Sequence, residues 1–123
     1  MKILIVEDEK ALILVLQEKL AKLGFDVKIV SNGEDALSGM KKDKFDLVLL
    51  DLLLPKKNGF EVLEEMKSDP ELTNVPVIVL SNLGEDEDIK RAVSLGVRDY
   101  FVKAQHPINE VVDKVKKFSV EGK

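Results

Sequence analysis

Short, almost wholly apolar runs alternate along this chain with stretches whose apolar residues recur at helical spacing, and that alternation constrains the fold more than any other feature. The runs cover residues 3–6, 27–30, 45–50, 75–80 and 100–102. The third and fourth are close to continuously apolar, the pattern of parallel strands covered on both faces. Between the runs, Leu12, Leu16, Leu20 and Leu23 form one stripe, Ala36, Leu37 and Met40 a second, and Val62, Leu63 and Met66 a third. Ile89, Ala92 and Val93 form the fourth, and Ile108, Val111, Val112, Val115 and Phe118 the fifth. Gly24 and Gly96 supply helix stops.

Strand and helix in alternation predict a (βα)5 chain folded as a doubly wound α/β sheet. Right-handed crossovers between parallel strands put helices on both faces. The site of such a sheet lies at the carboxyl ends of its strands, near the point where strand order reverses. A length of 123 residues suits one domain, expected over residues 1–120, and 45% hydrophobic with 34% charged residues supplies one core and a charged surface. With one Tyr, five Phe and no Trp, that core rests on Leu, Ile and Val. The tail Glu121-Gly122-Lys123 reads as the start of a linker, so the chain either stands alone or is one domain of a longer protein.

A net charge of -4 argues against nucleic acid as a direct partner and against an anionic membrane, since phosphate surfaces call for clustered Lys and Arg. The absence of cysteine excludes disulfides, thiolate catalysis and thiolate metal sites. The apolar opening Met1-Lys2-Ile3-Leu4-Ile5-Val6 is too short for a signal peptide or a membrane span, so a cytoplasmic location is the default expectation.

Four of the strand-like runs end on polar residues: Glu7 and Asp8 after the first, Asp51 after the third, Ser81 after the fourth and Lys103 after the fifth. Three acids converging on one rim repel one another unless a cation neutralises them, and oxygen ligands of this kind suit Mg²⁺. A carboxylate beside Mg²⁺, a lysine and a hydroxyl is a setting for phosphoryl transfer. Asp51 would attack as nucleophile, Lys103 and the metal would offset charge on the equatorial oxygens, and Ser81 would donate to one of them.

Taken together, the acid pair Glu7-Asp8, the segment Asp51-Leu52-Leu53-Leu54-Pro55-Lys56-Lys57-Asn58-Gly59, the segment Val79-Leu80-Ser81-Asn82 and the segment Asp99-Tyr100-Phe101-Val102-Lys103 give a clear resemblance. The chain resembles, over nearly all its length, the receiver domain of two-component response regulators. The resemblance implies a flavodoxin-like sheet with strand order 2-1-3-4-5. It implies Asp51 as phosphoacceptor, Asp8 as direct ligand of Mg²⁺ or Mn²⁺, Glu7 as a ligand through water, and the backbone carbonyl of Leu53 as the remaining protein ligand. Ser81 matches the switch hydroxyl, Lys103 the phosphate-binding lysine and Tyr100 the switch aromatic, which turns inward as the hydroxyl moves onto the phosphoryl group.

In the family a proline usually follows the lysine, in a cis peptide, where this chain has Ala104. A cis bond there costs about 3–4 kcal/mol, so the bond is trans with Lys103 placed differently, or strain is stored. Asn82 replaces a commoner small residue. Leu53 and Leu83 flank the pocket opening, and neither can orient an attacking water, which predicts slow self-dephosphorylation.

The resemblance further implies a sensor histidine kinase or phosphotransfer protein as phosphodonor, with acetyl phosphate as a small substitute. The donor would dock on the first helix, where Leu14 interrupts a polar face of Lys10, Gln17 and Glu18. The face of the fourth helix, fifth strand and fifth helix, with Lys90, Arg91, Asp113, Lys114 and Lys117, would carry a phosphorylation-dependent homodimer or a downstream protein target. Such a chain catalyses only its own modification and is a switch, not a turnover enzyme.

Taken singly, each residue has a blander reading: Glu7-Asp8 as a helix cap, Asp51 and Ser81 as loop residues, Lys103 as a solvated lysine, Tyr100 as a half-buried strand tyrosine. His106, the only histidine, reads as solvated, and the acidic run 85–88 as complementing the dipole of the fourth helix. A flavin-binding electron carrier of this architecture would need a hydroxyl- and glycine-rich loop after the first strand, where Glu7-Asp8-Glu9 would repel the flavin phosphate. An aspartate-based phosphatase needs a second acid two residues past the nucleophile, where Leu53 stands. A docking module independent of phosphorylation is disfavoured by the complete set of acids, hydroxyl and lysine.

Overall fold

A computed structural model describes residues 1–121. In chain order the elements are β1 (Lys2–Val6), α1 (Lys10–Lys22), β2 (Asp26–Val30), α2 (Gly33–Lys42), β3 (Leu47–Leu50), α3 (Gly59–Ser68), β4 (Val77–Ser81), α4 (Asp86–Ser94), β5 (Asp99–Val102) and α5 (Ile108–Glu121). All strand pairings are parallel, and the order across the sheet is β2-β1-β3-β4-β5, as expected. Of the expected tail, Glu121 ends α5, and Gly122 and Lys123 lie outside the described residues.

Side chains alternate across each strand, so the sheet divides the core into two layers. Leu4, Val6, Val48, Leu50, Val77 and Val79 point to one face and pack with Leu37 and Met40 of α2, Val62, Leu63 and Met66 of α3, and Ala92 of α4. Ile3, Ile5, Leu47, Leu49, Ile78, Leu80 and Phe101 point to the other and pack with Leu16 and Leu20 of α1 and with Val111, Val115 and Phe118 of α5. The three central strands are buried along nearly their whole length, which is why their sequences read as continuous apolar runs.

The structure corrects several boundaries and faces. Phe45 and Val75 lie outside their strands: β3 begins at Leu47, and β4 begins at Val77, after Pro76, which has no N–H to give to the ladder. Leu23 and Val93, assigned to buried stripes, are exposed, because α1 ends at Lys22 and α4 turns only Ala92 fully into the core. Arg91 also leaves the face assigned to it. Its guanidinium lies 4.2 Å from the centre of the Phe60 ring and 3.1 Å from Glu64 Oε2, so it ties α4 to α3. Lys67 adds a second tie by donating to the Ser94 carbonyl at the end of α4.

Two glycines hold the rim together by close approach. A Cβ on Gly59 would lie 2.6 Å from the Asp51 carbonyl oxygen, and one on Gly33 would lie 2.1 Å from the Lys57 carbonyl oxygen. Between them the loop after β3 turns through Lys56, whose φ of 65° lies in the left-handed region. The loop ends in a reciprocal cap: the Asn58 side chain accepts from Glu61 N–H, and the Glu61 carboxylate accepts from Asn58 N–H.

Candidate functional site: an acidic pocket closed by a lysine

The carboxyl ends of β1, β3, β4 and β5 bring Glu7, Asp8, Asp51, Ser81 and Lys103 to one rim. Glu7 continues the β1 ladder by donating its N–H to the Val30 carbonyl, and Asp51 donates its own to the Val6 carbonyl, so both leave the sheet from fixed backbone positions. Glu7 and Asp51 are buried, at 2% and 4% exposure, while Asp8 is exposed. Carboxylate oxygens of Glu7, Asp8 and Asp51 all lie within 4.8 Å of one another.

Lys103 closes this pocket. Its Nζ lies 3.0 Å from Glu7 Oε1, 3.1 Å from Asp51 Oδ2 and 3.3 Å from Glu9 Oε1. The other Asp51 oxygen, Oδ1, accepts from the Leu53 N–H at 3.0 Å. No cis peptide bond occurs among the described residues, so the Lys103–Ala104 bond is trans and Lys103 still reaches Asp51. Glu9 is the contact that sequence reasoning missed: it was read only as part of an acidic loop, yet it touches Lys103 and its N–H donates to Glu7 Oε2.

The electrostatics follow from burial. Desolvation raises the Glu7 carboxyl above its ordinary 4.5, with the Asp51 charge adding to the rise and Lys103 offsetting part of it. For Lys103, burial alone would lower the ammonium, but the hydrogen bond to Glu7 and the charge of Asp51 outweigh it and the net direction is upward. Two buried carboxylates with one shared cation leave the pocket short of positive charge, the condition that a divalent ion corrects.

Ser81 is fully buried, and its Oγ accepts from the Leu83 N–H. Tyr100 is half-buried, and its hydroxyl donates to the Leu83 carbonyl, so Ser81 and Tyr100 meet on the same loop residue. Burial pushes the Tyr100 phenol up to about 12, with the charges of Asp88 and Asp51 adding to the effect. Leu53 is exposed, and Leu83 is partly buried against the α2–α4 core layer. His106 is partly exposed: its ring stands edge-on to Phe101, and Nδ1 lies 2.7 Å from Glu110 Oε2. It lines, with Glu9, Asn82 and Lys103, a cavity of about 330 Å³ beside the site.

A parallel sheet of this order, with three acids and a lysine at the carboxyl ends of its strands, defines a flavodoxin-like α/β domain with an acidic rim site. The chain belongs to the response regulator receiver domain family, whose model matches residues 3–116. It is 36% identical over 115 residues to the alkaline phosphatase synthesis transcriptional regulatory protein PhoP of Bacillus subtilis, a match covering 94% of this chain and 47% of that protein. The chain thus spans less than half the length of the curated relatives it matches. Among solved structures it is similar to the phosphorylated cyanobacterial phytochrome response regulator RcpA, at 38% identity and a TM-score of 0.86, covering 95% of this chain and 91% of that one. It is also similar to the Mn²⁺-bound form of response regulator Rcp1, at 32% identity and a TM-score of 0.87, covering 98% and 94%. Among the described residues no helix is long and apolar enough to cross a membrane.

Proposed function

We propose that this chain is a signalling switch that accepts a phosphoryl group on Asp51 in a reaction needing Mg²⁺ or Mn²⁺. The observation that carries this reading is the Asp51 carboxylate itself: buried, hydrogen-bonded through Oδ1 to Leu53 N–H and paired through Oδ2 with Lys103, beside Glu7 and Asp8.

The donor set fits a hard divalent cation. Glu7, Asp8 and Asp51 supply oxygens close enough to share one ion, the buried pair has, among the described residues, only Lys103 as counter-charge, and the Leu53 carbonyl is a fourth candidate ligand. When bound, the metal offsets charge on the phosphoryl oxygens. The chain does the rest. An Asp51 carboxylate oxygen attacks phosphorus as the bond from phosphorus to the donor breaks, and the donor's leaving group departs with that bond's electron pair. The Lys103 ammonium pairs with the equatorial oxygens, where charge gathers in the transition state. The Ser81 hydroxyl turns from Leu83 to donate to a phosphoryl oxygen, and Tyr100, bonded to the same residue, carries that movement to β5 and α4.

The domain is taken to run over residues 1–120, in the cytoplasm. The natural donor is a sensor histidine kinase or a phosphotransfer protein, docking on α1, where Leu14 is 65% exposed. The output is a homodimer or a downstream protein target engaged by the face of α4, β5 and α5. The chain modifies only itself and turns over no substrate.

Incubation with acetyl phosphate and Mg²⁺ tests the reading through the intact mass. The expected result is a phosphoryl-sized gain that disappears in Asp51→Ala and with a chelator. No gain in the unaltered chain would move the reading to a docking module that works without phosphorylation.

A further inference from the structure

We propose that Glu9 restrains the switch by competing with the phosphoryl group for Lys103. The proposal rests on Asp51 being the phosphoacceptor and assigns a rate-setting role to a residue outside the acidic metal cluster.

Glu9 occupies the N-cap position of α1, where Ser, Thr, Asp and Asn are favoured because their short side chains reach back to the free N–H groups of the first turn. Its side chain makes no capping bond. It extends instead across the mouth of the pocket to Lys103 Nζ at 3.3 Å, while its backbone N–H donates to Glu7 Oε2. A local rule of helix starts is broken, and the group that breaks it is spent on the site lysine.

Glu9 is not one of the three acids whose oxygens cluster around a common point, so a metal there leaves it free to hold Lys103. Glu7 and Asp51 would instead share their charge with the ion. Glu9 is then the one remaining anion on the ammonium that nothing else neutralises. A phosphoryl group arriving on Asp51 needs that ammonium for its own oxygens, and it brings further negative charge towards the Glu9 carboxylate. Both effects act against the phosphorylated state and against the transition state leading to it. Glu9 is therefore a positioning residue that shares Lys103 with Asp51 and competes for it with the phosphoryl oxygens.

Two variants separate contact from mere charge. Glu9→Gln removes the anion. Glu9→Asp keeps it but shortens its reach and suits the N-cap, so the helix start is secured while the carboxylate withdraws from Lys103. With acetyl phosphate at saturating Mg²⁺, both variants are expected to phosphorylate about threefold faster than the unaltered chain, an exposed pair's worth of competition. Their acyl phosphates should also decay more slowly, and Mg²⁺ affinity by calorimetry should stay within about twofold. A fold defect would not raise a rate, and a metal-site effect would move the affinity. Rates unchanged or lowered in Glu9→Gln would overturn the proposal. So would a fast Glu9→Gln beside an unaltered Glu9→Asp, which would make the agent long-range charge, or a change in Mg²⁺ affinity matching the change in rate. Failure of the unaltered chain to gain mass would sink the phosphoacceptor reading itself, a result distinct from equal rates in chain and variants.

Discussion

Leu53 and Leu83 lie two residues past Asp51 and Ser81, and both present hydrocarbon where a water must be held to attack the acyl phosphate. Leu53 is half exposed, so a polar side chain fits there without disturbing the core, whereas Leu83 also packs inward. Leu53→Asn or Leu53→Glu should shorten the half-life of the acyl phosphate about tenfold, a change of about 1.4 kcal/mol in the barrier. Followed by mass, an unaltered half-life in both variants would remove Leu53 from the rate. Tyr100 offers a second residue-scale test, because it is the only tyrosine. The unfolded chain ionises its phenol near 10 and the folded chain only at about 12, so the folded state binds the proton more tightly and loses stability as pH rises between those values. Absorbance near 295 nm should show no phenolate step through pH 10 in the folded protein while a denatured control is half ionised there. A folded-state midpoint near 10 would place the ring in solvent.

At the scale of the element, the legibility of the sequence was uneven for physical reasons. The strands of the sheet centre were plain because burial on both faces leaves no polar positions to blur them, and the strand ends announced Glu7, Asp8, Asp51, Ser81 and Lys103 in turn. Glu9 was hidden because it read only as part of the acidic loop after the first strand, and nothing in its spacing reveals that its carboxylate reaches Lys103, 94 positions away. Val93 and Arg91 were misplaced because α4 is short and strongly polar, with a single fully buried residue, so its rotation is decided by ties to α3 that no periodicity encodes. Those ties make α4 the element most easily released. Arg91→Ala removes an ion pair and a ring contact together and should cost about 1 kcal/mol locally, raising hydrogen exchange in α4 about fivefold while α1 and α5 are unaffected. Equal protection of α4 in both proteins would show that core packing alone holds the helix. At the start of α3, Asn58→Ala removes the capping box and should lower Tm by roughly 4 °C.

For the whole molecule, the proposed metal site would couple ion binding to folding through its buried acids. The metal-free folded state keeps a proton on Glu7 to a higher pH than the unfolded chain does, so its stability falls as pH rises through the window above 4.5. Mg²⁺ needs the ionised carboxylate, so its contribution grows over that same window. The rise in Tm on adding Mg²⁺ should therefore be larger at pH 8 than at pH 5, and an equal rise at both would show that Glu7 is not part of the metal site. The site also spans nearly the full chain, since Lys103 and Glu7 are separated by 96 positions. Every strand pairing is parallel, so none forms through a tight turn and each waits for a crossover helix. During synthesis the acids of β1 and β3 emerge well before the lysine that closes their pocket. A nascent or truncated chain that ends before Lys103 therefore presents Glu7 and Asp51 without the ammonium that closes their pocket.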